Sequence, residues 1–332
     1  MKKIFLITAV LVQVVIASRS NAQIDPHFSQ YYANPLWLNP ALTGVIDGDA
    51  RVNANYKNQW ATVNNAYQTT AISADFNPDD KVGIGFNVLD QAAGSAGYNY
   101  FTFYGSFSYA LQLSADGYHQ LRFGLQAGLI NRGFDISKVE SDNQYNPSTG
   151  YDPTIPNGEN FLNSGATVFD AGAGVYYFDG DPDNKADLFG GVSVAHLTQP
   201  KDPFATEGIN SALPMRFIVH GGVRIQADDY LDITPHFIYI RQQNAQEKDL
   251  GLYAEFKSDN QSGFIIGAMY RFNDAAVADV GYHINYFTLG LSYDFNTSAL
   301  NSATDSQGGP EISLSYVFHK HTQNRDVVCP RF

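Results

Sequence analysis

Chemistry in this chain would have to start from its eight histidines, His27, His119, His196, His220, His236, His283, His319 and His321. A neutral imidazole can act as a general base or a metal ligand. His220 and His236 lie on neighbouring segments with the same parity, so an inward-facing dyad is conceivable. Arg216, Arg224 and Asp232 around them favour the plainer reading of hydrogen-bonded polar residues. His319 and His321 have alternate spacing that could hold a metal, but two imidazoles without a carboxylate cluster are weak evidence for one. No HExxH occurs, and no GxSxG nucleophile elbow. The nearest stretch, Gly191-Val192-Ser193-Val194-Ala195-His196, lacks the second glycine and the strand-to-helix context. Gly172-Ala173-Gly174 lies inside a strand pattern and reads as close strand packing, not as a phosphate cradle. The expectation is no catalytic residue, no metal and no cofactor.

Binding is the chemistry that remains. Residues 25–44 read DPHFSQYYANPLWLNPALTG. Asp25 and Asn39 each precede proline, the arrangement of an N-cap with Pro at N1, so each pair could start a short helical turn that Gly44 ends. Phe28, Tyr31, Tyr32, Leu36, Trp37 and Leu38 carry too much apolar mass to hang free in water. The segment is expected to plug a lumen or lid a periplasmic mouth, with a docking surface as the sharper alternative. Phe28, Tyr31, Tyr32 and Trp37 are its candidate partner-binding residues. Cys329, Pro330, Arg331 and Phe332 are those of the polar tail that ends the chain.

The elements that must position these residues show period-two alternation. Phe101, Phe103, Phe107, Tyr109, Leu111 and Leu113 oppose Tyr100, Thr102, Ser106, Ser108 and Gln112. Leu121, Phe123, Leu125 and Leu129 oppose Arg122 and Gln126, and the pattern recurs as far as Ile312, Leu314, Tyr316 and Phe318. A soluble β-sandwich or a transmembrane β-barrel could produce it. Runs of about 9–13 residues suit tilted membrane strands, whereas ordinary strands have about 5–6. Tyr98, Tyr100, Tyr176, Tyr177, Phe178, Tyr230, Tyr270, Phe272 and Phe295 fall near strand ends, where interfacial girdles would form.

Strands are predicted at 49–58, 66–77, 81–90, 98–113, 118–132, 166–178, 187–197, 213–226, 230–241, 247–257, 262–272, 275–284, 286–296 and 310–318. That makes an all-β single transmembrane antiparallel barrel of even strand number. The long connections, 133–165, 198–212 and 297–309, all follow odd-numbered strands and so lie on one side. Both termini would face the periplasm. The 133–165 loop is acidic through Asp135, Glu140, Asp142, Asp152 and Glu159. Arg122, Gln126, Arg132, Asp170, Arg216, His220, Arg224, Asp249, Glu255, Asp294 and Glu311 should face the lumen. Mixed signs would close it, and segregated signs would line a channel.

Composition agrees. The chain has 332 residues with a formal charge of −13, which disfavours nucleic acid as a partner. Its 21 Tyr and 23 Phe have to be spread along it, because no apolar run long enough for a membrane helix follows the N-terminus. The N-terminus itself has the form of a signal peptide: Lys2 and Lys3, an apolar run over 4–17, and Ser20-Asn21-Ala22 before a cleavage site after Ala22. Cys329 is the only cysteine, so no intramolecular disulfide can form. The expected organisation is a signal peptide over 1–22, an aromatic plug or docking segment over 23–48, a barrel over 49–318 and a periplasmic tail over 319–332.

The 25–44 motif after a signal peptide, the aromatic strands and the Cys329-Pro330-Arg331-Phe332 terminus resemble the PorP/SprF family of type IX secretion system outer-membrane proteins. The FSQ-Y-Y, NPL and NPA-TG elements within twenty residues carry the specific part of that resemblance. It implies a non-enzymatic barrel in the outer-membrane lipid that supports secretion or surface anchoring of a secreted cargo or adhesin. Components of the periplasmic secretion and gliding-motility machinery would be its other partners. A general or substrate-specific porin is the alternative, and a barrel hydrolase a remote one.

Overall fold

The computed structural model describes residues 25–60, 62, 66–158, 164–201, 212–259, 262–299 and 301–319. The proposed signal peptide, its cleavage site, Glu159, His321 and the Cys329-to-Phe332 terminus lie outside these residues.

Fourteen antiparallel strands close into one barrel. In chain order they are β1 (Ala50–Gln59), β2 (Tyr67–Phe76), β3 (Val82–Ala93), β4 (Tyr98–Gln112), β5 (His119–Gly133), β6 (Gly165–Asp179) and β7 (Ala186–Ala195). The second half is β8 (Arg216–Asp228), β9 (Leu231–Gln242), β10 (Ala245–Asp259), β11 (Ser262–Arg271), β12 (Ala275–Ile284), β13 (Phe287–Asn296) and β14 (Gln307–Phe318). Each strand pairs with its sequence neighbour, and β1 pairs with β14, for example through Val52 opposite Tyr316. Closure leaves no strand edge unpaired, which a bilayer interior requires. No helix among the described residues is long and apolar enough to cross a membrane.

The alternation survives intact. Phe101, Phe103, Phe107, Tyr109, Leu111 and Leu113 are exposed on the outer surface, while Thr102, Ser106 and Ser108 are buried inside. All eleven residues expected to face the lumen are buried or half-buried. The aromatic girdle needs correction. Tyr230, Tyr270, Phe272 and Phe295 are exposed, but Tyr100, Tyr176 and Phe178 are buried within the barrel. Parity explains the difference, since Tyr100 shares its face with Thr102, and Tyr176 and Phe178 share theirs with Asp170.

The long connections after β5, β7 and β13 gather at one end and short turns at the other. In outer-membrane barrels the short turns are periplasmic and the long loops external. The longest loop folds on itself through a small hairpin that pairs Tyr145 with Tyr151.

Candidate functional site

Residues 25–49 precede β1 and run through the lumen from the loop end to the turn end. Asp25 sits beside Tyr100, His196 and Arg216, all at the loop end. At the other extreme the Asp49 amide donates to Phe318 O, 2.8 Å away, at the turn end. The segment therefore fills the barrel and does not lie across its periplasmic mouth. Asp25, its first described residue, is at the opposite end from that expected for the chain's start.

Locally the segment is a chain of short turns, Tyr31–Ala33, Pro35–Leu38 and Pro40–Leu42. Asn39 caps the last of these, accepting from the Ala41 amide at 2.9 Å, with Pro40 at the first helical position. Gly44 follows at φ +75°, a conformation glycine adopts without strain. Asp25 does not cap a helix. The first turns begin further on, and its carboxylate is used in an ion pair instead.

Three polar anchors hold the segment. At the loop end, His196 Nε2 lies 2.7 Å from Asp25 and its Nδ1 2.8 Å from Asp170. Tyr104 and Thr198 hydroxyls donate to the same Asp170, at 2.7 and 2.8 Å. His196 follows the last residue of β7 with φ 58°, a left-handed turn uncommon outside glycine that aims the ring inward. Burial alone would raise the Asp25 carboxyl, but His196 and then Arg216 hold it well below the usual range. For His196, burial opposes protonation, yet Asp25 and Asp170 push its pKa up to about 9.

The second anchor is a knot of charge in the loop half of the barrel, built from residues near the loop-side ends of β1, β11 and β13. The Ser29 hydroxyl donates to Asp294 at 2.6 Å and accepts from Lys57 at 2.8 Å and Arg271 at 3.0 Å. Backbone amides of Ser29 and Gln30 donate to Glu311 at 2.7 and 3.0 Å. Lys57 and Arg271 each lie 3.2 Å from Asp294, and Arg271 lies 3.5 Å from Asp249. At the turn end, Arg51 binds Asp75 at 2.9 Å and donates to Val45 O, while the Gly44 amide donates to Asp75.

Apolar packing completes the fit. Leu38, Ala41, Leu42 and Val45 cluster with Tyr176, Phe178, Phe189, Ile218 and Ile238 of the wall. Phe28 clusters with Leu89, Tyr100, Tyr104, Ile130 and Leu213. Each large side chain so buried contributes about 1.5–3 kcal/mol. The wall is also cut away where the segment passes. A Cβ at Gly124 would collide with the Ala41 backbone and one at Gly83 with that of Thr43, while Gly174 makes room for Asn39. Such lumen-facing glycines admit the plug; at Gly174 the reading as plain strand packing is corrected.

The candidate partner-binding residues of the segment divide. Phe28 is buried, whereas Tyr31, Tyr32 and Trp37 are half-buried. The Tyr31 hydroxyl and His236 Nδ1 are 2.5 Å apart, Tyr32 packs edge-on against Tyr253, and Arg216 lies over the Trp37 ring, 5.1 Å from its centre. All four contact the barrel wall. Lys57, Arg271, Ser29 and Gln30, which organise the charged knot, were not among the residues singled out by sequence. Parity was the available signal: Lys57 alternates with Tyr56, and Arg271 with Tyr270.

His196, His220 and His236 are committed to structure. His220 accepts from Asn39 Nδ2 at 3.2 Å and stacks on Tyr176, whereas His236 stacks on Tyr253. Both ring nitrogens of His196 face carboxylates, which leaves none to activate a nucleophile. Ser193 donates to Leu38 O. Among the described residues no group of three or more His, Cys, Asp or Glu could hold a metal.

Over residues 20–316 the sequence matches the model of the type IX secretion system membrane protein PorP/SprF. The chain belongs to the PorP/SprF family. No protein with a curated description matches it in sequence. Among solved structures, this PorP/SprF barrel is similar to the Ralstonia pickettii toluene transporter TbuX, with a TM-score of 0.50, 11% identity and coverage of 86% of this chain and 93% of that one. It is similar also to the CymD monoaromatic hydrocarbon channel, with a TM-score of 0.50, 12% identity and coverage of 90% and 96%. At these identities the likeness is one of fold. Family and fold together place the PorP/SprF barrel in the outer membrane.

Proposed function

We propose that this protein is a closed, non-enzymatic outer-membrane component of the type IX secretion and gliding-motility machinery that supports secretion or surface anchoring of a secreted adhesin. The observation that carries the reading is the filled lumen. A barrel whose interior is occupied by its own residues 25–49, bonded twice in its loop half and again at the turn end, is suited to binding at its two faces more than to passing solute. Charges of both signs meet in the Ser29 knot, as a closed lumen requires. Contact with the secreted partner is assigned to the external loops, above all the acidic 133–165 connection. Contact with periplasmic machinery is assigned to the turn end and to Cys329, Pro330, Arg331 and Phe332.

Deleting residues 329–332 should abolish surface display of the adhesin while the barrel still inserts, read by surface labelling of the adhesin against heat-modifiable gel migration of the barrel. Unchanged display would remove the tail from the reading. Affinity capture of the tagged barrel should recover a large secreted protein together with periplasmic components. A second reading, a porin for small molecules, draws on the fold shared with TbuX and CymD, which transport toluene and conduct monoaromatic hydrocarbons respectively. It requires steady conductance from the purified protein.

A further inference from the structure

The plug leaves a cavity of about 330 Å³ in the turn half of the lumen, between Val45 and Ile46 and the inner faces of β10–β14. It reaches the periplasmic end, where Asn285, Tyr286 and His319 line it. Into its wall projects Asp279, 3% exposed, with neither carboxylate oxygen hydrogen-bonded. Its neighbours along the sheet explain its reach. Tyr253 pairs with Gly267 and Gly267 with Asp279, so one inward row reads Tyr, Gly, Asp. Gly267 has no side chain to keep the Tyr253 ring and the Asp279 stem apart, and a Cβ there would meet both.

A buried carboxylate without a partner is costly, and an opposite charge with hydrogen bonds to give relieves it. The nearby basic groups are directed elsewhere: Lys57 and Arg271 to Asp294, Arg51 to Asp75, and the His283 ring to Glu255 at 3.0 Å. We propose that this cavity binds an organic cation, an alkylammonium or guanidinium group, whose charged head pairs with Asp279. Val45, Ile46 and Ile265 provide an apolar wall for the carbon stem. The same group could arrive as a free amine from the periplasm or as a basic side chain of the chain's own residues 320–332, which follow His319 at the mouth. The assignment does not depend on the secretion role.

The test is calorimetric titration of the purified full chain in detergent with n-butylammonium, with 1-butanol as the neutral isostere. Saturable binding of the cation but not the alcohol is expected, weakened at least tenfold in Asp279→Asn. Gly281→Phe, which fills the cavity and leaves the carboxylate in place, should abolish it too, and heat-modifiable gel migration shows whether each variant has folded. Binding that appears only after residues 320–332 are removed would also support the site and identify the tail as the native source. Absence of binding in both the full and the shortened chain, or binding unchanged in both variants, would overturn the proposal.

Discussion

His196 spans two carboxylates that belong to different parts of the molecule, Asp25 of the plug and Asp170 of β6. A buried ion pair contributes little compared with an apolar replacement, but removing one member strands the others and costs about 3–5 kcal/mol. His196→Gln should therefore loosen the plug at its loop end while the barrel persists, seen as faster amide exchange at residues 25–30. The pH dependence has two limits. His196 is raised from 6.5 to about 9, so its contribution is complete below about 6.5 and is lost as pH rises through 9. Asp25 is lowered from 3.8, so its contribution is complete above that value and fades only as pH falls through the depressed one. The loop-end anchor is thus fully engaged between about pH 4 and 6.5. Exchange at residues 25–30 should accelerate from pH 6.5 to 10, beyond the intrinsic base catalysis seen in an unstructured peptide, and His196→Gln should remove that excess.

For the elements, the strand walls were legible in the sequence and the plug's path was not. The strand ranges emerged within a few residues because lipid on one side and a packed lumen on the other impose a strict two-residue period. Tyr100, Tyr176 and Phe178 were misplaced because residue type was weighed above parity, although a tyrosine on the lumen face is well served when its hydroxyl finds a carboxylate, as Tyr104 does at Asp170. The plug carries no such period, and its contacts join residues far apart in the chain, such as Ser29 with Glu311. What the sequence does record is the clearance for it. Gly124 should not tolerate a side chain: Gly124→Val would cost about 1–3 kcal/mol or more through overpacking against Ala41 and should displace the turn Pro40–Leu42. Gly105→Ala, on the outer face with only Ala127 O at 3.9 Å, should leave amide exchange at residues 36–43 unchanged. On that outer face, Phe103→Arg should cost as much as about 2–4 kcal/mol if it sits near the bilayer midplane, read as a lowered denaturant midpoint for folding into lipid vesicles.

At the scale of the whole molecule, the question is whether fourteen strands around a lumen of this kind conduct. Eight-stranded barrels fill their interior with wall side chains, and porins of sixteen to eighteen strands leave an aqueous channel. A barrel of fourteen encloses more than its wall residues can fill, and here residues 25–49 take up the remainder, leaving separate cavities of about 330 and 170 Å³ towards opposite ends. Full-length protein in planar bilayers should accordingly give no steady current. A chain lacking residues 25–46 should either insert and conduct steadily or fail to fold, since the plug also supplies partners to Lys57 and Glu311. Substituting Ser29, Gln30 and Asp25 together, with the segment retained, separates those outcomes, because it weakens two anchors and leaves the apolar clusters in place. That variant should show brief openings whose frequency does not rise at alkaline pH, because the His196–Asp25 pair that titrates there is already gone. Steady channels from the unaltered protein at neutral pH would contradict both the closed lumen and the anchoring role built on it, and would favour a solute pathway of the kind its fold relatives provide.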